Sequence, residues 1–183
     1  NFSPDKVKFD LIVDEDSNSI PFDEVEALGG HVYVVPPYQK ILSHMKALYQ
    51  LYKREQYDVL YAANNTMNIF PLFVAKMAGI KVRVSESLTT ASKLEKKKTL
   101  MKNVLKRFSH CFCNYFMANG IQSAEYQFGK GFTQKGKVAI FLNPVDAEKN
   151  DFSPQLREET RKKFGWEDKV VYGTIARFEK QKN

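Results

Sequence analysis

Residues 58–84 read DVLYAANNTMNIFPLFVAKMAGIKVRV, and this stretch indicates the fold class. It opens with a short apolar run, residues 58–63, which predicts a strand. The polar residues 64–66 then offer an N-cap for a helix that runs to Ala78. A second apolar run, residues 80–84, predicts another strand. Strand, helix and strand in this order are typical of a parallel βαβ unit.

The same alternation continues along the rest of the chain. Further strands are predicted at residues 7–13, 31–35, 111–118, 137–142 and 170–175, and further helices at 22–28, 39–56, 93–108, 121–128 and 154–164. Most of these strands are short and continuously apolar, as expected when both faces of a sheet are covered. The pattern predicts an α/β fold with a doubly wound, Rossmann-like parallel sheet.

The composition is that of an ordinary globular protein. Of 183 residues, 43% are hydrophobic and 27% are charged, and this balance argues against disorder. The net charge of +7 permits an anionic partner, whether phosphate, nucleic acid or acidic lipid. No apolar run reaches the roughly 18–20 residues needed to span a bilayer. No helix-turn-helix, RNP or zinc-finger pattern supports nucleic acid as the partner.

The two cysteines, Cys111 and Cys113, fall within one predicted strand. They would point to the same face, but they are too close in sequence for an ordinary structural disulfide. No further soft ligand is placed for zinc. We therefore interpret them as small buried side chains in a reducing compartment, which favours a cytoplasmic protein.

Ligands of open α/β sheets bind beyond the carboxyl ends of the strands. Polar loops follow several of the predicted strands, at residues 64–66, 85–90, 119–120, 143–146 and 177–182. Several of them begin helices, where exposed N–H groups favour anions. The last loop carries Arg177 and Lys182, and a guanidinium with an ammonium on one loop suits a diphosphate. The alternative for this pair is a solvated basic loop.

The carboxyl-terminal part of the sequence carries a series of motifs in order. These are KVAIFLNPVD at 137–146, Phe152-Ser-Pro, and VYGTIAR at 171–177 followed by Lys182-Asn183. The series resembles the retaining GT-B glycosyltransferases of the group 1 (family 4) type, which carry an N-G-[IV]-D turn, F-x-P, a basic helix and a strand ending G-R-x-x-x-x-K-[GN]. Residues 24–34, 75–83 and 117–129 resemble the exopolysaccharide and capsular branch of that family.

This resemblance implies a sugar transfer from a nucleotide-sugar donor to a glycan or lipid-linked acceptor, with retention and without a bound metal or cofactor, in cell-surface polysaccharide synthesis. It implies that Arg177 and Lys182 bind the donor diphosphate. The strand-end rule places Asn64, Ser85 and Asn119 at one end of the sheet, and the resemblance implies that this end is the acceptor cleft. Two residues depart from the family pattern, because Pro144 and Ala176 stand where the family has glycine.

Glu86 is a larger departure, because it stands where the polysaccharide branch has a histidine. A carboxylate at this place could bind a sugar hydroxyl or act as a catalytic base. The alternative is an exposed polar residue that follows a strand.

The resemblance also predicts how the chain is divided. Residues 1–143 would be the acceptor-side Rossmann-like domain without its first strand, and residues 144–183 the linker and the first helix and strand of the donor-side domain. The chain would then be incomplete at both ends and inactive by itself. The missing strand would leave a gap at the centre of the sheet, and two copies could pair to cover exposed edges.

A lysine-rich helix is predicted over residues 93–108. It carries Glu95 as its one acid and seven basic residues, of which the predicted anion surface comprises Lys93, Lys96, Lys97, Lys98 and Lys102. Such a helix could dock on anionic lipid at the inner face of the cell membrane, or it could be a packing helix with a solvated face. Loss of vesicle binding on charge reversal of residues 96–98 would distinguish the two.

Two other classes of function stay open. One is a non-enzymatic α/β binding module for a phosphorylated ligand, and the other is a basic adaptor at an anionic membrane surface. A metal-dependent transferase is a further comparison, because Asp14-Glu-Asp16 follows a strand as a D-x-D motif does. Almost nothing precedes that motif here, so we interpret it as a solvated strand end. The three histidines show no metal-ligand spacing.

Overall fold

A computed structural model describes residues 6–89, 103–142, 145–147 and 150–175. The chain divides into two compact units, residues 1–141 and residues 142–183.

The described residues of the first unit form six short strands. They are β1 (Leu11–Asp14), β2 (Val32–Val35), β3 (Val59–Ala62), β4 (Val82–Ser87), β5 (Tyr115–Ala118) and β6 (Ala139–Ile140). Every pairing between them is parallel. β1 and β2 form one sheet, and the other four form a second sheet in the order β3-β4-β5-β6. Among the described residues, no strand pairs with the remaining edge of β1 or of β3.

Helices connect the strands of the first unit. They are α1 (Phe22–Ala27), α2 (Ile41–Glu55), α3 (Ile69–Ala78), α4 (Ile121–Phe128) and α5 (Lys130–Gln134), with 3-10 turns at Tyr38–Lys40, Asn65–Asn68 and Lys106–Phe108. Parallel strands joined by helices make this an α/β fold of the Rossmann-like type, so the predicted fold class is confirmed. No helix in the described ranges is long and apolar enough to cross a membrane.

The main core lies where α2 and α3 meet the strands. Leu48, Leu51 and Tyr52 of α2 recur at helical spacing and are all buried. They share one cluster with Val35 of β2 and Leu60 of β3. Both sheets therefore contribute to a single core, and α2 and α3 lie over it.

β4 extends further than the sequence pattern predicted. The apolar run ends at Val84, but the strand continues to Ser87. Ser85, Glu86 and Ser87 are therefore buried strand residues, and the alternative of an exposed Glu86 after the strand is wrong. A central strand keeps its backbone hydrogen bonds through polar residues when each side chain finds a partner.

The cysteines lie before β5 rather than inside it, because that strand begins only at Tyr115. Cys111 is exposed and Cys113 is buried, so the same-face prediction is wrong. The Cys113 thiol donates to the Ser109 carbonyl over 3.1 Å. Burial raises the pKa of the Cys113 thiol to about 11. A thiol with this pKa stays protonated and unreactive at neutral pH.

In the second unit, the described residues include the helix α6 (Pro154–Phe164). The Ser153 hydroxyl caps it by accepting from the Leu156 N–H over 3.3 Å, and Gly165 ends it in the left-handed conformation. Both ends agree with the sequence prediction. Residues 170–175 were predicted as a strand, but they form no strand and are exposed. A strand needs a neighbour for its hydrogen bonds, and none of the described residues supplies one here.

Candidate functional site

The carboxyl ends of β3, β4 and β5 bring three polar segments together. Of the residues predicted for the cleft, Asn64 follows β3 and is exposed, and Asn119 follows β5 and is half-buried. Ser85 lies inside β4 and is fully buried, and Glu86 is its neighbour. The sheet thus places these four residues at one end, where α/β proteins bind ligands.

Two asparagines hold the loop that follows β4 through hydrogen bonds. The Asn65 Oδ1 accepts from the backbone N–H of Leu88 over 2.7 Å and from that of Thr89 over 3.0 Å. The Asn119 Nδ2 donates to the Leu88 carbonyl over 2.8 Å. Loop residues 88–89 are therefore held from both neighbouring strands. Asn65 has a φ of +53°, in the left-handed region that asparagine tolerates better than most residues.

Asn68 ties β3 to the buried end of β4. Its Nδ2 donates to the Ser85 hydroxyl over 3.0 Å and to the Glu86 carbonyl over 2.9 Å, and its Oδ1 accepts from the Asn64 N–H. Asn68 is 1% exposed and Ser85 is 0% exposed. The Ser85 hydroxyl therefore faces the protein interior, and it acts on the cleft by holding Asn68, which in turn holds Asn64.

A second set of buried polar contacts joins α4 to the same strands. The Ser87 hydroxyl donates to the Ser123 carbonyl over 3.0 Å, and the Ser123 hydroxyl donates to the Asn119 Oδ1 over 2.7 Å. The Thr66 hydroxyl donates to the Gln127 Oε1 over 3.1 Å. Connected buried hydrogen bonds of this kind hold loops in one arrangement. The Gln127 Nε2 has no hydrogen-bond partner among the described residues, and a buried donor without one costs about 1–3 kcal/mol.

Glu86 lies on the opposite face of the sheet from Ser85 and Ser87, because side chains alternate along a strand. The β3–β4 register pairs Tyr61 with Val84, so Tyr61, Val84 and Glu86 share one face. Glu86 is 7% exposed, whereas Tyr61 is 50% exposed. The carboxylate is thus sheltered beside a tyrosine that reaches solvent.

Tyr61 and Glu86 lie on the same face of neighbouring strands and interact. Burial, and after it the nearby Glu86 carboxylate, raise the pKa of the Tyr61 phenol above its usual value. The phenol therefore stays protonated near neutral pH. A carboxylate has several acceptor positions, and those of Glu86 can serve a ligand. The pair can accept a proton or bind a hydroxyl group.

The predicted cations lie outside the described residues. This holds for Arg177 and Lys182 of the donor diphosphate prediction. It also holds for the predicted anion surface, which comprises Lys93, Lys96, Lys97, Lys98 and Lys102. Their roles stay predictions.

The acidic segment after β1 is tied to the chain that follows β2. Asp14 accepts from the Tyr38 N–H over 3.5 Å and lies 3.6 Å from the His44 Nδ1. Asp16 accepts from the Gln39 Nε2 over 3.2 Å. Within the described ranges, no three His, Cys, Asp or Glu side chains are grouped as a metal ion requires.

Two residues of the site, Tyr61 and Asn68, were not predicted, and Asn65 was predicted only as part of the polar loop at residues 64–66. The Asn64-Asn65 doublet after a strand could have indicated a residue with a left-handed backbone conformation, because asparagine is enriched at positive φ. Tyr61 carries no such local signal. Its pairing with Glu86 depends on the register between two strands, which one sequence does not reveal.

A scan against protein-family models finds no match for this chain, and a search of curated protein sequences finds none either. Membership of a glycosyltransferase family is therefore a prediction from the sequence motifs alone.

Proposed function

We propose that this chain is the acceptor-side part of a retaining glycosyltransferase, and that the full enzyme transfers a sugar from a nucleotide-sugar donor. The observation that carries the proposal is the buried carboxylate of Glu86, which lies at the carboxyl end of a central strand in an α/β sheet. The sequence resemblance puts a functional histidine at the same position, and a carboxylate can take over binding or proton transfer there.

Glu86 would receive the acceptor hydroxyl. Its carboxylate accepts a hydrogen bond from that hydroxyl and takes the proton as the oxygen bonds to the donor sugar. The nucleotide diphosphate leaves with the electron pair of the broken bond. Arg177 and Lys182 would stabilise the charge of this leaving group, as the resemblance implies. Tyr61 lies beside this carboxylate on the same face of the sheet.

The hydrogen-bonded loop at residues 88–89 supports this role of Glu86. Residues 88–89 follow it after Ser87, and Asn65 and Asn119 hold them from two strands. A hydroxyl must lie within about 3 Å of its base, so a fixed loop beside the base favours a defined acceptor position.

The substrate class and cellular place belong to the same proposal. The acceptor is a glycan or a lipid-linked glycan of cell-surface polysaccharide synthesis. The enzyme acts in the cytoplasm at the inner face of the cell membrane, where the lysines of residues 93–102 contact anionic lipid. The net charge of +7 supports contact with phosphate-bearing molecules.

The test is transfer of labelled sugar from UDP- and GDP-sugars to a membrane extract by the complete gene product. Glu86→Gln keeps the shape of the side chain and removes its charge, so we expect transfer to fall by about 100-fold or more. Glu26→Gln is the matched control, because Glu26 is exposed on α1, and it should keep full activity.

Full transfer activity in a folded Glu86→Gln variant would overturn the assignment of Glu86. Nucleotide-diphosphate binding by the wild-type protein with no transfer to any acceptor would favour the non-enzymatic binding module instead.

A further inference from the structure

Tyr61 and Tyr115 lie on one face of the second sheet, with Val84 between them. Tyr61 pairs with Val84 across β3 and β4, and Val84 pairs with Tyr115 across β4 and β5. Paired residues of neighbouring parallel strands direct their side chains to the same face, because side chains alternate along each strand. The three residues therefore form one row across β3, β4 and β5.

The two tyrosines of this row are exposed, whereas the valine between them is buried. Tyr115 is 56% exposed, much like Tyr61, but Val84 is only 9% exposed. Within the described ranges, neither tyrosine ring contacts another aromatic ring or a cation. Side chains stand roughly perpendicular to a sheet, so the row is a groove with a tyrosine on each side and Val84 as its floor.

The spacing between the two tyrosines suits one ring. Neighbouring strands lie about 4.8 Å apart, so the backbones of β3 and β5 lie about 9.6 Å apart. Carbon atoms in contact lie about 3.5–4.0 Å apart, so a flat ring between two tyrosines needs about 7–8 Å. A puckered, saturated ring needs slightly more. One six-membered saturated ring therefore fits in the groove with one of its faces against each tyrosine.

Glu86 gives the groove a polar end. It lies two residues beyond Val84 on the same face of β4, which is about 6.6 Å along the strand. Its buried carboxylate can accept hydrogen bonds from hydroxyl groups, and it repels phosphate and other anions. The groove therefore favours a neutral ligand over a nucleotide. A pyranose has C–H groups on its two faces and hydroxyl groups at its rim, so it matches both the aromatic sides and the polar end.

We propose that Tyr61 and Tyr115 bind one neutral pyranose ring of the acceptor between them, over Val84, with a ring hydroxyl directed to Glu86. The inference rests on the proposed function, because it names the residues that hold the sugar whose hydroxyl Glu86 receives. Tyr61 and Tyr115 are then the residues that determine which acceptor sugar is bound, and together with Glu86 they select against a negatively charged one.

The test is saturation-transfer-difference NMR on the complete gene product. The probes are the methyl glycosides of glucose, galactose and mannose. Sorbitol is the matched control probe, because it has the hydroxyl groups of a sugar without the ring. We expect saturation transfer to the C–H protons of at least one glycoside and none to sorbitol.

Variants assign the binding to the groove. Tyr61→Ala and Tyr115→Ala should each weaken glycoside binding by about fivefold or more, because each loses one aromatic face. Tyr61→Phe and Tyr115→Phe keep the ring and should bind as the wild type does. Tyr49→Ala is the matched control, because Tyr49 is exposed on α2, and it should also bind as the wild type does.

Three results would overturn the proposal. The first is absence of saturation transfer to all three glycosides. The second is equal glycoside binding by the wild type and both alanine variants in their folded state. The third is a wild-type dimer in analytical ultracentrifugation that both alanine variants dissociate, which would identify a second copy of the chain as the partner of this face.

Sugar transfer by the same proteins separates this proposal from the proposed function. Transfer that is lost in Glu86→Gln but unchanged in Tyr61→Ala and Tyr115→Ala would keep the enzyme and overturn the groove as its acceptor site. Glycoside binding that is lost in both alanine variants, with no transfer by any of the proteins, would keep the sugar site and overturn the transferase.

Discussion

Asn65 combines a left-handed backbone with a side chain that accepts two backbone hydrogen bonds. Its φ of +53° turns the chain after β3, and its Oδ1 binds the N–H groups of Leu88 and Thr89. Few residue types satisfy both conditions, because most side chains are disfavoured at positive φ. The residue therefore determines how the loop beside Glu86 is held.

Replacement of Asn65 tests this double role. Asn65→Ala loses both acceptor contacts and keeps the strained φ, so we expect it to lower the free energy of unfolding by about 2 kcal/mol. Asn65→Asp keeps an acceptor oxygen and tolerates the left-handed region, so its loss should stay below about 1 kcal/mol. Urea denaturation of the two variants measures the difference. Equal losses would contradict the account of this residue.

Tyr52 gives the chain a dependence on alkaline pH. It is 2% exposed, and burial raises the pKa of its phenol above the unfolded value of about 10. The folded state therefore keeps the proton at a pH where the unfolded state loses it. The stability due to this residue is complete below pH 10 and declines as the pH rises above that value.

Comparison with Tyr52→Phe isolates this effect. Between pH 8 and pH 11, the wild-type protein should lose about 1.4 kcal/mol more unfolding free energy than the variant. Urea denaturation at the two pH values provides the measurement. A difference that does not change with pH would show that the phenol ionises equally in both states.

At the scale of elements, the end of β4 illustrates what local patterns cannot predict. Residues 85–87 read Ser-Glu-Ser, a composition typical of a loop, and the prediction ended the strand before them. The strand continues because its polar groups find partners on other elements: Asn68 contacts Ser85, and Tyr61 contacts Glu86. These partners lie far away in sequence, so only the assembled sheet reveals them.

Two variants measure how much the contact between Asn68 and Ser85, which links β3 to β4, contributes to the free energy of unfolding. Asn68→Leu leaves the Asn64 N–H, the Ser85 hydroxyl and the Glu86 carbonyl without this partner, so we expect a loss of about 3 kcal/mol or more. Ser85→Ala removes one acceptor, and the Asn68 Nδ2 keeps its bond to Glu86, so the loss should be about 1 kcal/mol.

Thermal or urea unfolding measures the loss of unfolding free energy in each variant. The two losses show whether Asn68 holds Asn64, Ser85 and Glu86 together or whether these contacts act independently. A loss in Ser85→Ala as large as that in Asn68→Leu would mean that Asn68 is not the centre of the link.

The ends of α6 show the opposite case, in which local sequence is sufficient. Ser153 and Gly165 mark its two ends through a side-chain cap and a left-handed residue, and both depend only on neighbours in sequence. Residues 170–175 have an equally clear strand composition but form no strand among the described residues. A helix satisfies its own backbone, whereas a strand depends on a partner elsewhere.

At the scale of the whole molecule, the alternation of strands and helices was enough to predict the α/β class. The order of the strands was not, because the parallel pairings of β1 with β2 and of β3 with β4 depend on contacts between distant segments. The predicted cleft followed from a general rule about strand ends. The roles of the cleft residues could not be predicted in this way, because they depend on where each side chain lies. Ser85 is buried in the interior, whereas Asn119 is half-buried.

The central claim is that this chain belongs to an enzyme that uses a nucleotide sugar, and nucleotide-diphosphate binding tests it most directly. We would titrate UDP and GDP into the complete gene product and into its Arg177→Ala and Lys182→Ala variants. Lys135→Ala is the matched control, since Lys135 is exposed in the turn after α5. The account predicts binding in the wild type and the control, and a loss of about tenfold or more in both site variants. Absence of binding to either nucleotide, or equal binding by all four proteins, would contradict it.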